Sequence, residues 1–209
     1  MKAFLKISIC GSALIAAFSA TAPAFAADAV QKEAAQLTES EKLTALFAED
    51  DEANLKRNPL NALFRGDLRY ADRFGDFTSD AYYNAERKAA QDNVRKLKAI
   101  KRDKLNATDK IAYDVFLRNQ QDALKGLSKP YLDLTVVRPI NHFFGVHTFY
   151  PNFASGQGAA PFKTLVDYEN NLKRHKEFVT NLDGAIGRFR QGVKSGVVET
   201  KMTIRNVID

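Results

Sequence analysis

Cysteine is almost absent from the 209 residues, and its single occurrence, Cys10, lies close to the N-terminus. The first 26 residues carry Lys2 and Lys6, then a mostly apolar, uncharged stretch at 7–22, then a small-x-small sequence at 24–26. This pattern predicts a secretory signal peptide over residues 1–26. Once it is removed, the chain has no cysteine, which excludes disulfides and a thiolate nucleophile and is typical of a bacterial envelope protein.

Long apolar runs are also lacking. The 7–22 stretch is interrupted by serine and glycine and falls short of the ~20 apolar residues that a membrane span needs. A membrane anchor is therefore a weaker interpretation than a signal peptide. A lipoprotein anchor is excluded because Cys10 follows Ile9 and lies too early. We predict a periplasmic or secreted protein with no stable membrane span after signal cleavage.

The excess of positive charge is small. The formal net charge of +6 falls to +4 once Lys2 and Lys6 are removed with the signal. The basic residues at 87–102 are interrupted by Asp92, so a solvated helix face explains them and a nucleic-acid partner is not predicted. Residues 27–209 are enough for one sizeable domain.

Helical patterns dominate what is present. Thr38 and Glu41 fit a capping box at the start of a first helix. Asn58 and Pro59 end that helix and begin a short second one, with Asn58 as its N-cap, and Gly66 suits its end. Segments 79–100 and 106–126 predict an antiparallel helical hairpin. The predicted fold class is therefore all-α, with several antiparallel helices.

Residues 128–163 differ from the rest, because prolines, glycines and aromatic residues crowd into them. The alternation of Leu132, Leu134 and Val136 predicts a short strand. The remainder is predicted to be one long aromatic-rich loop. A loop of this length is usually functional or disordered, and its aromatic content argues against disorder.

The clearest periodicity follows, at 164–194. Apolar residues recur every seven positions, and a second heptad position is mostly aromatic or apolar; the two series are Leu165, Leu172, Val179, Ile186 and Val193, and Tyr168, His175, Leu182 and Phe189. This spacing predicts one long helix with a packed seam. Residues 201–209 begin another amphipathic segment that has no cap after it. We therefore expect the helical domain at 27–209 to be incomplete at its C-terminus.

Metal-binding and catalytic motifs are lacking. His175 lies on the heptad seam, where a packed or boundary histidine is expected. His142 and His147 are five residues apart, whereas a helical zinc pair needs a spacing of four and a third ligand nearby. No H-E-x-x-H sequence occurs. The sequence therefore predicts no catalytic residue, no metal ligand and no cofactor within this chain.

Four segments together resemble a known family: RNPLNALFRGDLRYADRFGDFT, LNATDKIAYDVFLRNQ, FKTLVDYENNLKRHKEF and RQGVKSGVVETKMTIRNVID. They are similar to the N-terminal third of the exported bacterial family known as domain of unknown function 885. The resemblance implies a larger helical fold grouped with zinc peptidases. Members of that family carry H-E-x-x-P-G-H further along the chain, where two histidines hold zinc and the glutamate activates water. Zinc is thus expected only in a C-terminal portion, and no catalytic residue carries over to this sequence.

Two segments supply weak candidates for binding. The first is the RGDLRYADRFGDF sequence at 65–77, where Asp67, Arg69 and Tyr70 are the candidates. Its aspartates and arginines either pair with each other or contact a substrate. The second is the aromatic loop at 141–162, with His142 and His147, which would face a peptide.

Two functions remain open. The chain is either the N-terminal helical region of an exported zinc-metallopeptidase-like protein or a non-enzymatic helical binding module of the periplasm. In the first hypothesis its partner is the C-terminal portion of the same protein, and its ligand is a peptide substrate.

Overall fold

The computed structural model describes residues 37–208 and is all-helical within them. The predicted signal peptide lies outside the described residues. Two short 3-10 helices, Leu68–Tyr70 and Arg102–Lys104, accompany the α-helices. The α-helices are α1 Glu39–Arg57, α2 Pro59–Phe64, α3 Asp80–Lys98, α4 Ala107–Gly126, α5 Lys129–Thr135, α6 Val146–Ala154, α7 Leu165–Ser195 and α8 Lys201–Ile208. Across 37–208, none of the helices is long and apolar enough to cross a membrane.

The first helices begin and end as the capping signals predict. The Thr38 hydroxyl accepts a hydrogen bond from the Glu41 backbone N–H at 3.2 Å, and the Glu41 carboxylate accepts one from the Thr38 N–H at 2.8 Å. Pro59 occupies the first turn of α2, where its missing N–H costs nothing. The Asn58 side chain, however, does not cap α2. It turns to α3, where it accepts from Tyr82 Oη at 3.0 Å.

Helices α1, α3 and α4 pack around one apolar cluster. The predicted hairpin is α3 and α4, and α1 lies against both. The cluster consists of two residues of α1, one each of α3 and α4, and two of the connection between α3 and α4: Leu43, Leu46, Leu97, Tyr113, Ile100 and Leu105. Burial of these residues is the main source of stability in such a bundle, although Ile111 and Val115 of α4 stay exposed.

The aromatic segment is largely structured, and part of it is core. Instead of a strand, Lys129–Thr135 forms α5, so the strand prediction is wrong. An alternation of only three residues does not distinguish a strand from a short helix. Pro130 suits the first turn of a helix, and Leu132 and Val136, four residues apart, lie on one helical face. Further on, α6 buries Tyr150 and Phe153.

These aromatic residues form a second cluster around Phe74, whose side chain is fully buried. Tyr150 stacks on Phe178 of α7 with ring centroids 3.6 Å apart, and Phe74 meets Tyr150 edge to face at 5.8 Å. The Tyr150 hydroxyl also lies 2.6 Å from His175 Nδ1. His175 itself is exposed, so it is a boundary residue held by one hydrogen bond.

The long helix is confirmed, but its predicted packed seam is not. The first heptad series is exposed in the described chain: Leu165 74%, Leu172 65%, Val179 45%, Ile186 48% and Val193 72%. The buried positions of α7 are polar or small instead: Arg174, Asn181, Ala185, Arg188 and Gly192. A heptad repeat identifies an apolar stripe but does not say whether anything covers it.

Close packing of α7 requires a glycine at position 184. A Cβ added to Gly184 would lie 2.8 Å from Thr78 Cβ and closer still to the Thr78 hydroxyl, whereas one added to Gly187 would meet nothing within 4 Å. We expect Gly184→Ala to lower the free energy of unfolding by about 1–3 kcal/mol through overpacking. Urea unfolding followed by circular dichroism measures this change.

Gly187→Ala is the matched control. It adds the same methyl group to the same helix in open space, so it should raise the free energy of unfolding by about 0.5–1 kcal/mol. Equal stabilisation by both substitutions would contradict the close contact at Thr78.

Candidate functional site

The residues after the first 3-10 helix, at 71–80, form an irregular segment that lies against α7. Glu177 accepts hydrogen bonds from the backbone N–H groups of Phe74 and Gly75 at 2.6 and 2.9 Å. Asn181 donates to the Gly75 carbonyl at 2.7 Å and accepts from the Phe77 N–H at 3.0 Å. Both side chains thus pair with main-chain groups that the irregular backbone cannot pair by itself.

Two arginines extend this row of contacts in both directions. Arg174 donates to the Ala71 carbonyl, and Arg188 donates to the Thr78 carbonyl at 2.7 Å. Arg188 also donates to the Asp80 carboxylate at 2.6 Å, at the first residue of α3. The four α7 side chains therefore bind the 71–80 segment from one end to the other.

The spacing of these side chains on α7 explains how one helix face reaches them all. Positions 174, 177, 181 and 188 fall on one face of a 3.6-residue helix. Arg174 is 3% exposed, and burial lowers the pKa of its guanidinium, although an arginine stays charged. The sequence has polar residues at all four positions. This polar row indicates the contact with the 71–80 segment, but the heptad analysis considered only the apolar positions.

The candidates Asp67, Arg69 and Tyr70 lie at the start of this region and contact one another. Asp67 caps the 3-10 helix by accepting from the Arg69 N–H at 3.0 Å, and the Arg69 guanidinium donates to both Asp67 oxygens at 3.0 and 3.1 Å. Arg69 also bonds Glu52 of α1 at 2.9 Å, and Tyr70 Oη donates to Glu52 at 2.5 Å. The site that the sequence indicates is thus a charged network joined to α1.

The network shifts the pKa values of its members. The Tyr70 hydrogen bond and the Arg69 guanidinium hold the pKa of the Glu52 carboxyl below its usual value, and Arg69 lowers the pKa of Asp67. The same contact with Glu52 raises the pKa of the Tyr70 phenol. Sequence analysis did not single out Glu52, because nothing local distinguishes it from a solvated helix face.

The two histidine candidates lie in and beside the turn that leads into α6. The His142 ring packs on Phe143 with centroids 4.0 Å apart, and its buried Nδ1 has no hydrogen-bond partner within 37–208. His147 is exposed in the first turn of α6. Between residues 37 and 208 no three histidine, cysteine or acidic side chains are grouped so as to hold a metal.

An aromatic cleft of about 350 Å³ lies between α2, α7 and the start of α6. Its walls are mainly apolar, and two of the residues, Val146 and Phe149, come from the predicted aromatic loop; the others include Phe64, Phe77, Tyr83 and Ile140. We call it the aromatic cleft. Its size and lining suit an apolar side chain of a ligand.

Two further apolar surfaces are open to solvent. The first, the α7 stripe, is the exposed series Leu165, Leu172, Val179, Ile186 and Val193. The second, the α8 groove, has a volume of about 410 Å³ between α8, the end of α7 and the residues after α5; it is lined by Val137, Ile140, Phe189, Val193, Val198, Ile204, Val207 and Ile208. Contiguous exposed apolar surface of this kind marks places where other molecules bind.

Residues 59–209 match the family model described as Bacterial protein of unknown function (DUF885). The chain belongs to this DUF885 family. No curated protein and no solved structure matches it. The matched range of this DUF885 member includes α2, the 71–80 segment, α7 and both apolar surfaces, so the resemblance seen in the four sequence segments is confirmed.

The contacts of α7 with the 71–80 segment predict a large effect for one substitution. Asn181→Ala removes the partners of the Gly75 carbonyl and the Phe77 N–H in a buried place. We expect the free energy of unfolding to fall by about 2–4 kcal/mol. The neighbouring Thr180→Ala serves as control, because Thr180 is exposed and its hydroxyl bonds only the Lys176 carbonyl of its own helix. Similar small changes for both variants would show that the segment is held by other means.

The Glu52 network predicts a defined change in titration. In Tyr70→Phe the largest cause of the lowered Glu52 pKa is gone, so that pKa should rise towards its ordinary value of 4.5. A carboxyl whose folded-state pKa is lowered stabilises the fold above its unfolded pKa, and this contribution is lost as the pH falls through the folded value. The variant should therefore lose less stability on acidification than the unsubstituted chain.

Carbon-13 NMR titration of the carboxyl groups measures the shift directly, and urea unfolding at several acidic pH values measures its consequence. Tyr131→Phe is the control, since Tyr131 is exposed and contacts Lys125. An unchanged Glu52 pKa in Tyr70→Phe would rule out the Tyr70 hydrogen bond as its main cause.

Proposed function

We propose that this chain is the N-terminal helical region of an exported, zinc-metallopeptidase-like protein of uncharacterised substrate. The observation that carries the proposal is the α8 groove. Helix α8 is exposed along nearly its whole length, with Met202 70% and Ile208 77% exposed, and the groove beside it is apolar. At roughly 25 cal/mol per Å² of apolar surface, leaving such a groove open to water forfeits substantial stabilisation.

The partner for this groove, in this proposal, is the C-terminal portion of the same protein. An eight-residue helix has little stability of its own in water, so α8 depends on what packs against it. The resemblance to a zinc-peptidase-like family supplies the expected identity of that portion. Zinc and the H-E-x-x-H residues would belong to it, and the residues of this chain would form one wall of the substrate cleft.

The aromatic cleft is the proposed place where that wall meets a peptide. Phe149 and Val146 come from the aromatic segment that the sequence indicates as a binding region, and Phe64 extends the cleft at its rim with 61% exposure. An apolar pocket selects side chains by size and shape, which suits a peptide substrate. The proposed location of this activity is the periplasm or the outside of the cell, and the predicted signal peptide supports it.

A second candidate function rests on the same cleft. In a non-enzymatic periplasmic binding module, the aromatic cleft alone would bind an apolar ligand. The observation that favours it is the charged network at Asp67, Arg69 and Tyr70. Arg69 is paired with the carboxylates of Asp67 and Glu52, so these side chains hold the loop in place and offer no reactive group to a substrate.

Metal analysis and a peptidase assay distinguish the two functions. The 209-residue chain is compared with the protein encoded by its gene together with any reading frame downstream. We expect zinc and hydrolysis of peptides only in the extended protein. Hydrolysis by the 209-residue chain itself, or an extended protein that neither binds zinc nor cleaves peptides, would contradict the proposal.

Variants of α8 test the groove within the extended protein. Val207→Asp places a charge in the α8 groove and should lower activity and stability together, because burying an unpaired charge is costly. Arg205→Asp is the matched control, since it changes an exposed residue of the same helix outside the groove lining. Equal effects of the two variants on activity and stability would show that the α8 groove does not contact the C-terminal portion.

A further inference from the structure

The α7 stripe repeats every seven residues from Leu165 to Val193, all on the exposed side of the helix. A straight α-helix drifts by about 20° per heptad against such a repeat, so a stripe maintained over four heptads is typical of a helix that supercoils with a second helix. The stripe spans about 42 Å at 1.5 Å per residue. At its second heptad position Tyr168 is 52% exposed and His175 is also exposed, while Leu182 and Phe189 are half-buried. Together the two positions form a coiled-coil seam that is open at its N-terminal end and partly open at its C-terminal end.

Charged residues follow this seam on its outer flank. Glu169, Lys176, Asp183 and Arg190 are seven residues apart, and the sign of the charge alternates along the helix. All four side chains are exposed, and none forms an ion pair with another residue in the described range. In a coiled coil, residues at this flank choose the partner and its orientation.

When a second copy of the helix runs in the opposite direction, its charges meet charges of opposite sign on the first copy. If two copies of α7 run antiparallel about a point between Thr180 and Asn181, Glu169 comes within two residues of the level of Arg190 of the second copy, and Lys176 comes within two residues of the level of its Asp183. Both pairs occur twice by symmetry, and all four are attractive. In a parallel pair the same flank would face the other flank of the seam, where Phe178 and Ala185 carry no charge.

The antiparallel register also matches the apolar residues. It sets Leu172 against Phe189 and Val179 against Leu182 of the second copy, as in the mixed layers of a coiled-coil core. His175 would lie opposite Ile186. The opposite, buried side of α7 continues to bind the 71–80 segment.

We propose that the α7 stripe is a dimerisation surface, and that it binds the α7 helix of a second copy of this chain in antiparallel orientation. The proposal goes beyond the function proposed above and does not depend on it, because it concerns the stripe and not the α8 groove; the two surfaces share Phe189 and Val193. Burial of the stripe supplies the affinity, and the charged flank supplies the orientation.

Sedimentation velocity of the full 209-residue chain over a range of concentrations tests the proposal. We expect a reversible dimer. Lys176→Asp replaces both attractive contacts between Lys176 and Asp183 of the second copy by repulsive contacts between two carboxylates. It should weaken the dimer at least about tenfold, since each 1.4 kcal/mol is a factor of ten. The double variant Lys176→Asp, Asp183→Lys restores opposite charges and should restore the dimer.

Lys98→Asp on α3 is the control for the change in net charge, because it is exposed and distant in sequence from the seam. Val179→Asp should abolish the dimer while leaving the circular dichroism spectrum unchanged, since Val179 is exposed in the single chain. A chain that is monomeric at every concentration would overturn the proposal. So would a dimer that Lys176→Asp does not weaken, or one that the double variant does not rescue.

A third outcome also decides the question. If the downstream-extended protein is monomeric and Val179→Asp destabilises it, the stripe is covered within one chain and the dimer proposal is wrong. None of these measurements uses peptidase activity or zinc, so the failure of this proposal and the failure of the proposed function are distinguishable.

Discussion

The arrangement of the described chain depends on hydrogen bonds between side chains of α7 and the backbone of the 71–80 segment. An irregular segment buried against a helix has main-chain groups without partners, and leaving them unpaired is costly. Glu177, Asn181 and Arg188 supply those partners in order along one face. Because the segment ends at Asp80, the first residue of α3, this contact also joins the aromatic cluster to the helices α1, α3 and α4.

The same contact explains why the apolar side of α7 is exposed. A helix has two sides, and the polar side of α7 is already committed to the 71–80 segment. Gly184 and Ala185 allow the close approach that these short contacts need, and a larger side chain at position 184 would prevent it. The apolar side is therefore left outward, where both the α7 stripe and the α8 groove are open to other polypeptide.

Much of the fold could be predicted from the sequence because its signals are local. The Thr38 capping box, the Asn58-Pro59 boundary and the helical hairpin depend on residues within a few positions of each other. What could not be predicted depends on distant contacts. The heptad repeat could not say which side of α7 is covered, and nothing near Glu52 indicates that Tyr70 and Arg69 bind it. The strand expected at residues 132–136 failed because three alternating residues also fit one helical turn. The zinc-peptidase relationship and the exported location stay predictions.

Recognition through main-chain atoms has a consequence for how the 71–80 segment can evolve. Helix α7 contacts mainly carbonyl and N–H groups, which do not depend on the side chain, so these contacts do not restrict the exposed side chain of Arg73, whereas Asp76 is held by the Thr78 and Ser79 N–H groups at 3.0 Å each. The restrictions fall on the helix instead. A lysine at position 188 has no planar fork with which to reach the Thr78 carbonyl and Asp80 together. Tolerance within the irregular stretch should thus be high only where a side chain is exposed and unbonded, whereas the buried Phe74 and Gly75, with its φ of 95°, stay restricted for reasons of their own.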